Sequence, residues 1–142
     1  MIHILLVEDN DGDVLLTREA LEEAQVVTKL SIAKDGQEAI DFLNKPDGRE
    51  TRSPDLILLD INLPKVNGFE VLKYIKEDPR WKHIPVIMLT TSSAQKDIDK
   101  AYNGYANCYI TKPVDVSDFL SVITTIESFW ISIAKLPTHK SA

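Results

Sequence analysis

Cysteine is almost absent from this sequence, since Cys108 is the only one among 142 residues. A single thiol cannot form an internal disulfide, and it cannot supply the thiolate cluster of a structural zinc site. This composition suits a reducing compartment, so the cytoplasm is the expected location.

Long apolar runs and an excess of positive charge are missing as well. No stretch approaches the roughly 20 apolar residues that a membrane-spanning helix needs, and no cationic region precedes the first apolar run, as it would in a signal peptide. The 16 Lys and Arg are outnumbered by 22 Asp and Glu, and the net charge of -6 opposes binding to polyanions. We therefore expect a soluble protein that binds neither nucleic acid nor membranes directly.

Short apolar runs alternate with helical patterns along the chain. The strand candidates are residues 2–7, 29–33, 56–59, 86–89 and 106–110, the second of which is preceded by Val26 and Val27. The helix candidates are residues 14–24, 37–43, 68–76, 94–102 and 116–133. Such alternation is typical of βαβ units, so the sequence predicts an α/β fold with a doubly wound, five-stranded parallel sheet and about five helices.

One domain is expected over residues 1–135, because the chain is long enough for one sizeable core and too short to suggest two. The polar stretch 44–54 is interpreted as a surface loop, since strand and helix signals continue after it. Residues 136–142 are expected to form a flexible C-terminal tail that leaves no room for an output domain.

Polar residues stand at the ends of the predicted strands, where open parallel sheets bind their ligands. In chain order these residues are Glu8, Asp9, Asp60, Thr90 and Lys112. Because the carboxyl ends of parallel strands meet at one edge of the sheet, we expect three carboxylates, a hydroxyl and an ammonium group to converge there.

Such a cluster of carboxylates normally requires a cation, because the carboxylates repel one another and each costs free energy to desolvate. All-oxygen ligation by few carboxylates, with positions left for water and phosphate, favours Mg²⁺ over zinc or a fully caged calcium ion. Lys112 would offset the remaining charge of a phosphoryl group, and Thr90 would hydrogen-bond one of its oxygens. The residues alone therefore indicate phosphoryl capture by a carboxylate beside Mg²⁺.

The motifs around these residues resemble the receiver domain of response regulators in two-component signalling. The matching segments are residues 5–10, 58–64 with Asn67 and Gly68, 88–91, and 109–113. The resemblance covers nearly all of residues 1–135 and implies a flavodoxin-like fold. It also implies a signalling domain that catalyses only its own phosphoryl uptake and autodephosphorylation, with output by conformational change or phosphorelay to an unnamed downstream protein.

Carried over residue by residue, the resemblance implies that Asp60 attacks the phosphohistidine of a sensor histidine kinase. Asp9 would ligate Mg²⁺ directly, together with Asp60. Glu8 would ligate it directly or through a water, and Asn62 through its backbone carbonyl. The Glu8 and Asp9 pair departs from the commoner pair of two aspartates in this family.

The resemblance also assigns the residues that respond to phosphorylation. Lys112 would hold the phosphate, while Thr90 and Tyr109 would form the coupled pair that moves. Residues 107–112 and 126–130 resemble the small response regulators of cyanobacterial phytochromes, which are light-sensing histidine kinases. A phytochrome is therefore the implied kinase partner.

The last predicted helix is apolar on more than one side. One stripe at helical spacing contains Phe119, Val122, Ile123, Ile126, Trp130 and Ile133. Leu120, Phe129 and Ile131 fall outside it, and aromatic residues are enriched at interfaces. We expect a homodimer through the face over residues 90–133, formed by the last helix, the strand before it and Tyr102; the alternative is one core face with scattered exposed apolar side chains.

A second function class is a Mg²⁺-dependent phosphohydrolase of the haloacid-dehalogenase type, with Asp9 as nucleophile and Asp11 as acid. It leaves Asp60 at the end of another buried strand unexplained, and the chain leaves little room for a substrate-enclosing cap. Residues 9–13 alternate acids as in a calcium-binding EF-hand loop, but that loop would need glycine where Val14 stands. Asp11 and Asp13 are more simply helix-start residues, favourable near the positive end of the helix dipole. A degenerate receiver that only binds partners is a third possibility, against which the intact phosphoacceptor, hydroxyl and lysine argue.

Overall fold

Five strands alternate with five helices in the computed structural model, which describes residues 2–23, 28–45 and 53–137, the side chains of 132 and 133 excepted. The strands are β1 (Ile2–Val7), β2 (Thr28–Ala33), β3 (Leu56–Leu59), β4 (Val86–Thr90) and β5 (Cys108–Thr111). The helices are α1 (Asp11–Glu23), α2 (Gly36–Leu43), α3 (Gly68–Glu77), α4 (Gln95–Asn103) and α5 (Val116–Ile126), and a π-helical segment (Glu127–Ile133) continues α5.

All the strands pair in parallel, in the order β2-β1-β3-β4-β5. The order reverses at β1, so the connecting helices cover both faces of the sheet, and the predicted doubly wound fold is confirmed. Val7 lies opposite both Ala33 and Leu59, and Thr90 lies opposite Thr111. This register brings the ends of the strands level at one edge.

Alternate side chains of the central strands enter two separate cores. On one face, Leu5 lies in a cluster with Val71 of α3. On the other face, Ile4 lies in a cluster with Leu21 of α1 and Phe119 of α5. β3 and β4 are buried at every position, and a fully buried Leu or Ile side chain contributes about 1.5–3 kcal/mol. These two strands therefore give the site a rigid base.

α1 begins at Asp11, earlier than the start predicted at residue 14. The side chain of Asn10 accepts a hydrogen bond from the backbone N–H of Asp13 at 2.9 Å, which caps the first turn. Apolar periodicity does not report such a polar first turn, so it placed the helix start at the first buried position.

The last two elements also differ from their prediction. β5 begins at Cys108 rather than at residue 106, because the N–H of Ala106 donates to the carbonyl of Ala101 at the end of α4 (3.0 Å). The predicted helix 116–133 is α-helical only as far as Ile126. Apolar spacing over so short a segment does not distinguish i→i+4 from i→i+5 hydrogen bonding. The remaining boundaries, apart from residue 24, agree to within one residue.

Parts of several predictions lie outside the described residues. These are residue 24, Val26, Val27, positions 46–52 of the predicted loop, positions 138–142 of the predicted tail, and the side chain of Ile133. Within the described part of the chain, no helix combines the length and apolar character needed to cross a membrane.

Candidate functional site

Three carboxylates meet where β1 and β3 end side by side. Oxygen atoms of Glu8, Asp9 and Asp60, one from each, all lie within 4.8 Å of one another. Glu8 and Asp60 are buried, with 3% and 6% exposure, whereas Asp9 is exposed. The cluster is therefore anchored in the protein on one side and open to solvent on the other.

The turn after β1 is organised by hydrogen bonds to its own side chains. The N–H of Glu8 continues the pairing with β2 by donating to the carbonyl of Ala33 (3.0 Å). The N–H of Asn10 donates to Oε2 of Glu8 at 3.1 Å, and the Asn10 side chain caps α1 at Asp13. The orientation of Glu8 is thus linked to the start of α1.

Asp60 is held in place by hydrogen bonds of its backbone and of its side chain. Its N–H donates to the carbonyl of Val7 at 3.1 Å, which extends the pairing of β1 with β3. Its Oδ1 accepts a hydrogen bond from the N–H of Asn62 at 3.3 Å. The loop then returns, because the N–H of Gly68 donates to the carbonyl of Ile61 at 2.8 Å.

Gly68 and its neighbours explain why this loop ends in Asn-Gly. A Cβ on Gly68 would lie 2.1 Å from the carbonyl oxygen of Asp60, far inside any contact distance, so only glycine fits. Asn67 caps α3 through a reciprocal arrangement with Glu70, in which each side chain accepts the backbone N–H of the other. The start of α3 therefore packs directly against the backbone of Asp60.

Lys112 reaches the carboxylates from the end of β5. Its N–H donates to the carbonyl of Thr90 at 2.7 Å. Its Nζ forms an ion pair with Glu8 and lies 3.2 Å from Oδ2 of Asp60 and 3.0 Å from Oδ2 of Asp13. Burial acts to lower the pKa of Lys112, but these carboxylates outweigh burial and raise the pKa overall, so the ammonium group stays charged.

One lysine does not neutralise the whole cluster. Burial, with the nearby charge of Asp60, raises the pKa of Glu8 from 4.5 to about 7, even though Lys112 acts in the opposite direction. Near neutral pH the ionised form of Glu8 is therefore destabilised by burial and by the nearby negative charge. An excess of negative charge on all-oxygen donors is the setting in which a hard divalent cation fits.

Thr90 and Tyr109 lie beside the cluster without bonding to each other. The Oγ1 of Thr90 is buried and has no hydrogen-bond partner among residues 2–23, 28–45 and 53–137. The hydroxyl of Tyr109 instead donates to the carbonyl of Ser92 at 2.8 Å. A buried hydroxyl without a partner costs free energy, and it is available to an oxygen that enters the site.

The open side of the cluster is a shallow cavity of about 510 Å³ beside the Asp60 loop. Asp9 and Asn62 line it together with Asp97 of α4. Asp97 accepts a hydrogen bond from the hydroxyl of Ser92 at 2.6 Å. The entrance to the site is thus polar and acidic, and it extends to the start of α4.

The structure brings together the residues that the strand ends indicated, namely Glu8, Asp9, Asp60, Thr90 and Lys112. Tyr109 is nearby, and Asn62 faces the same cavity. Two contributors were missed by the sequence reasoning. Asp13 was assigned only to the helix start, although its carboxylate also contacts Lys112. Asp97 carried no motif that would have identified it.

The sheet order and the acidic strand ends together define a class, the phosphoacceptor signalling domains of flavodoxin-like fold. The family profile described as "Response regulator receiver domain" matches residues 4–124. The chain therefore belongs to the response-regulator receiver family, as its motifs predicted.

Its relatives include proteins linked to phytochromes. Response regulator Rcp1 of Synechocystis sp. is 43% identical over 135 residues, which cover 94% of this chain and 92% of that protein. A crystal structure of Mn²⁺-bound Rcp1 superposes with a TM-score of 0.92 at 42% identity, covering 97% of this chain and 100% of that one. The phosphorylated cyanobacterial phytochrome response regulator RcpA gives a TM-score of 0.91 at 45% identity, covering 96% of this chain and 99% of that one.

These comparisons decide between the function classes. The chain is a receiver-domain response regulator related to phytochrome response regulators, and its family is not one of catalytic enzymes. A haloacid-dehalogenase-type hydrolase is not favoured. Receiver domains bind Mg²⁺ or Mn²⁺ at an acidic pocket, and the carboxylate cluster of this chain fits such a pocket. Membership of the family also implies a histidine kinase as partner.

Proposed function

We propose that Asp60 is the phosphoacceptor and that it takes the phosphoryl group from a phosphohistidine of a phytochrome-type sensor histidine kinase. The observation that carries the proposal is the buried Asp60 carboxylate, which lies 3.2 Å from Nζ of Lys112 within the carboxylate cluster. The phytochrome partner is supported by the similarity of this chain to RcpA, a cyanobacterial phytochrome response regulator.

In the proposed reaction, a carboxylate oxygen of Asp60 attacks phosphorus and the phosphorus–nitrogen bond of the phosphohistidine breaks. The electron pair of that bond stays on the imidazole nitrogen, and the product is an acyl phosphate. Lys112 offsets the negative charge that arrives with the phosphoryl group. The hydroxyl of Thr90 donates to a phosphoryl oxygen and so gains the partner that it lacks.

The metal of this site is proposed to be Mg²⁺. Glu8, Asp9 and Asp60 would hold it with carboxylate oxygens, and Asn62 with its backbone carbonyl, because these donors are all oxygen and one side of the cluster is open. When bound, the ion supplies positive charge that neutralises both the phosphoryl group and its acceptor. Autodephosphorylation at the same site completes the cycle.

The response to phosphorylation is proposed to pass from Thr90 through Ser92 and Tyr109 to α4. The hydroxyl of Tyr109 is bonded to the Ser92 carbonyl, so a shift of residues 90–92 towards a phosphoryl oxygen would move its ring. α4 is weakly anchored, with Ala101 as its only buried residue. A helix with few buried contacts changes position at low cost.

Output is proposed to run through a homodimer over the face of residues 90–133, or through phosphorelay to a downstream protein. Phe119, Ile123 and Ile126 of the apolar stripe are buried, whereas Phe129 is 50% exposed and Tyr102 is 47% exposed. Exposed aromatic side chains support an interface, because aromatic residues are enriched there. Sedimentation velocity at several concentrations, with and without phosphorylation, tests this: a monomer under every condition excludes the homodimer.

The proposal also includes one receiver domain over residues 1–135, and the family profile that matches residues 4–124 supports it. The lack of direct binding to DNA or anionic membranes belongs to it too, and the net charge of -6 supports this part. A cytoplasmic location is also proposed, in keeping with the single cysteine.

The direct test uses a phosphohistidine donor with Mg²⁺ and compares the wild type with Asp60→Asn and Asp9→Asn. We expect labelled wild-type protein and no label on Asp60→Asn. The hydrolase alternative predicts a labelled Asp60→Asn and an unlabelled Asp9→Asn, because its aspartyl phosphate would form on Asp9. Equal labelling of the wild type and Asp60→Asn excludes the proposal.

A further inference from the structure

We infer that Asp13 is a positioning residue for phosphoryl transfer: its carboxylate holds the ammonium group of Lys112 against Asp60. The inference rests on the proposed function of Asp60. It adds a residue of α1 to the acidic residues that follow the strands.

The hydrogen-bonding capacity of Lys112 is the first argument. An ammonium group has three hydrogens to donate, and Nζ contacts three carboxylates, those of Glu8, Asp13 and Asp60. The Lys112 side chain is only 5% exposed, so solvent does not readily replace a lost acceptor. Each of the three carboxylates therefore helps to determine where the charge lies.

Asp13 differs from the other two carboxylates in what else it does. Glu8 and Asp60 belong to the group of acids whose oxygens lie close enough together to share a cation, and Asp13 does not. Asp60 also changes charge and shape when it accepts a phosphoryl group. Asp13 is thus the one of the three carboxylates around Lys112 that neither accepts the phosphoryl group nor belongs to the proposed metal ligands.

The backbone of Asp13 is well fixed for this task. Its N–H donates to Oδ1 of Asn10 at 2.9 Å, and its carbonyl accepts the hydroxyl of Thr17 at 2.7 Å. Asn10 in turn donates to Glu8 at 3.1 Å. A hydrogen-bonded first helical turn therefore presents the carboxylate to Lys112, and the same turn is connected through Asn10 to Glu8, one of the proposed metal ligands.

The expected effect follows from the loss of one anchor. Asp13→Asn leaves Lys112 between Glu8 and Asp60, where its ion pair with Glu8 draws the ammonium group away from the phosphoacceptor. Loss of one charge-assisted hydrogen bond of this kind should slow phosphoryl uptake about fivefold to tenfold.

Asp11→Asn is the matched control. It removes the same charge from the same first turn of α1, but Asp11 is exposed and pairs with Lys34, so Lys112 is not touched. Any effect of helix-dipole loss is shared by both variants. We expect Asp11→Asn to remain within about twofold of the wild-type rate.

A double-mutant cycle separates positioning from a structural role. The rate of phosphorylation by acetyl phosphate with Mg²⁺ is measured for the wild type, Asp13→Asn, Lys112→Ala and the double variant. We expect Asp13→Asn to slow the wild-type background and to have no further effect once Lys112 is replaced. An equal slowing in both backgrounds, or a rate that is unchanged or raised in Asp13→Asn, overturns the inference.

A readout that does not need activity is the NMR signal of the Lys112 ammonium group in lysine-labelled protein. We expect this signal in the wild type and in Asp11→Asn, and its loss or broadening in Asp13→Asn. An unchanged signal in Asp13→Asn contradicts the inference. Wild-type protein that takes no phosphoryl group refutes the proposed function itself, whereas labelled wild type with an unimpaired Asp13→Asn refutes only the role of Asp13.

Discussion

The backbone of Gly68 packs so closely on Asp60 that a Cβ at position 68 would lie 2.1 Å from the Asp60 carbonyl oxygen. The start of α3 and the proposed phosphoacceptor are therefore a single packed unit, and the geometry of one depends on the other.

Gly68→Ala is expected to destabilise the protein by about 2 kcal/mol or more, because backbone rather than a flexible side chain must move to admit the methyl group. Unfolding in urea measures the change. Gly12→Ala is the control, since its Cβ would approach only the side chain of Asn10, at 3.2 Å, in an exposed position of α1. Similar stabilities of the two variants would contradict the close packing described here.

The affinity for Mg²⁺ should rise with pH up to about neutrality. Burial raises the pKa of Glu8 to about 7, so below that pH the metal must displace a proton from one of its proposed ligands. We expect the apparent affinity, measured by calorimetry, to rise from pH 6 to pH 7 and to level off by pH 8. Glu8→Gln should bind more weakly and with a flatter profile; an affinity of the wild type that is independent of pH would contradict this.

Glu8→Gln should also stabilise the metal-free protein at high pH. A carboxyl whose pKa is raised in the folded state is bound to a proton there while the unfolded chain has lost it, so wild-type stability falls as pH rises from about 4.5 to about 7. With chelator present, we expect the variant to gain on the order of 1–3 kcal/mol over the wild type above pH 7 and much less at pH 5. A stability difference between Glu8→Gln and the wild type that shrinks as pH rises would contradict this prediction.

Thr90→Val should leave stability unchanged or raise it by up to about 1 kcal/mol, because it removes a buried hydroxyl that has no partner. The same change should abolish any phosphorylation-dependent change in sedimentation. Thr17→Val is the matched variant, since the buried hydroxyl of Thr17 donates to the backbone carbonyl of Asp13 at 2.7 Å. The loss of this hydrogen bond should destabilise the protein by about 1 kcal/mol. An equal loss of stability in the two variants would mean that the hydroxyl of Thr90 has a hydrogen-bond partner in solution.

Sequence reasoning was most successful where a pattern has one structural meaning. The apolar runs of β1 and β3 are too short for helices and rich in Ile, Leu and Val, which indicates buried strands, so the positions of Glu8 and Asp60 at their ends followed directly. It was less successful where a side chain serves a distant partner. Asp13 satisfies the rules for a helix start, and only the fold reveals that Lys112, on another strand, lies beside it.

Locating the phosphoryl group on the chain tests directly whether Asp60 is the phosphoacceptor. The protein is phosphorylated with Mg²⁺, the acyl phosphate is reduced with borohydride, and the altered aspartate is identified by peptide mass spectrometry. We expect modification at position 60 and none at position 9. Modification at position 9, with Asp60 unaltered, would contradict this assignment.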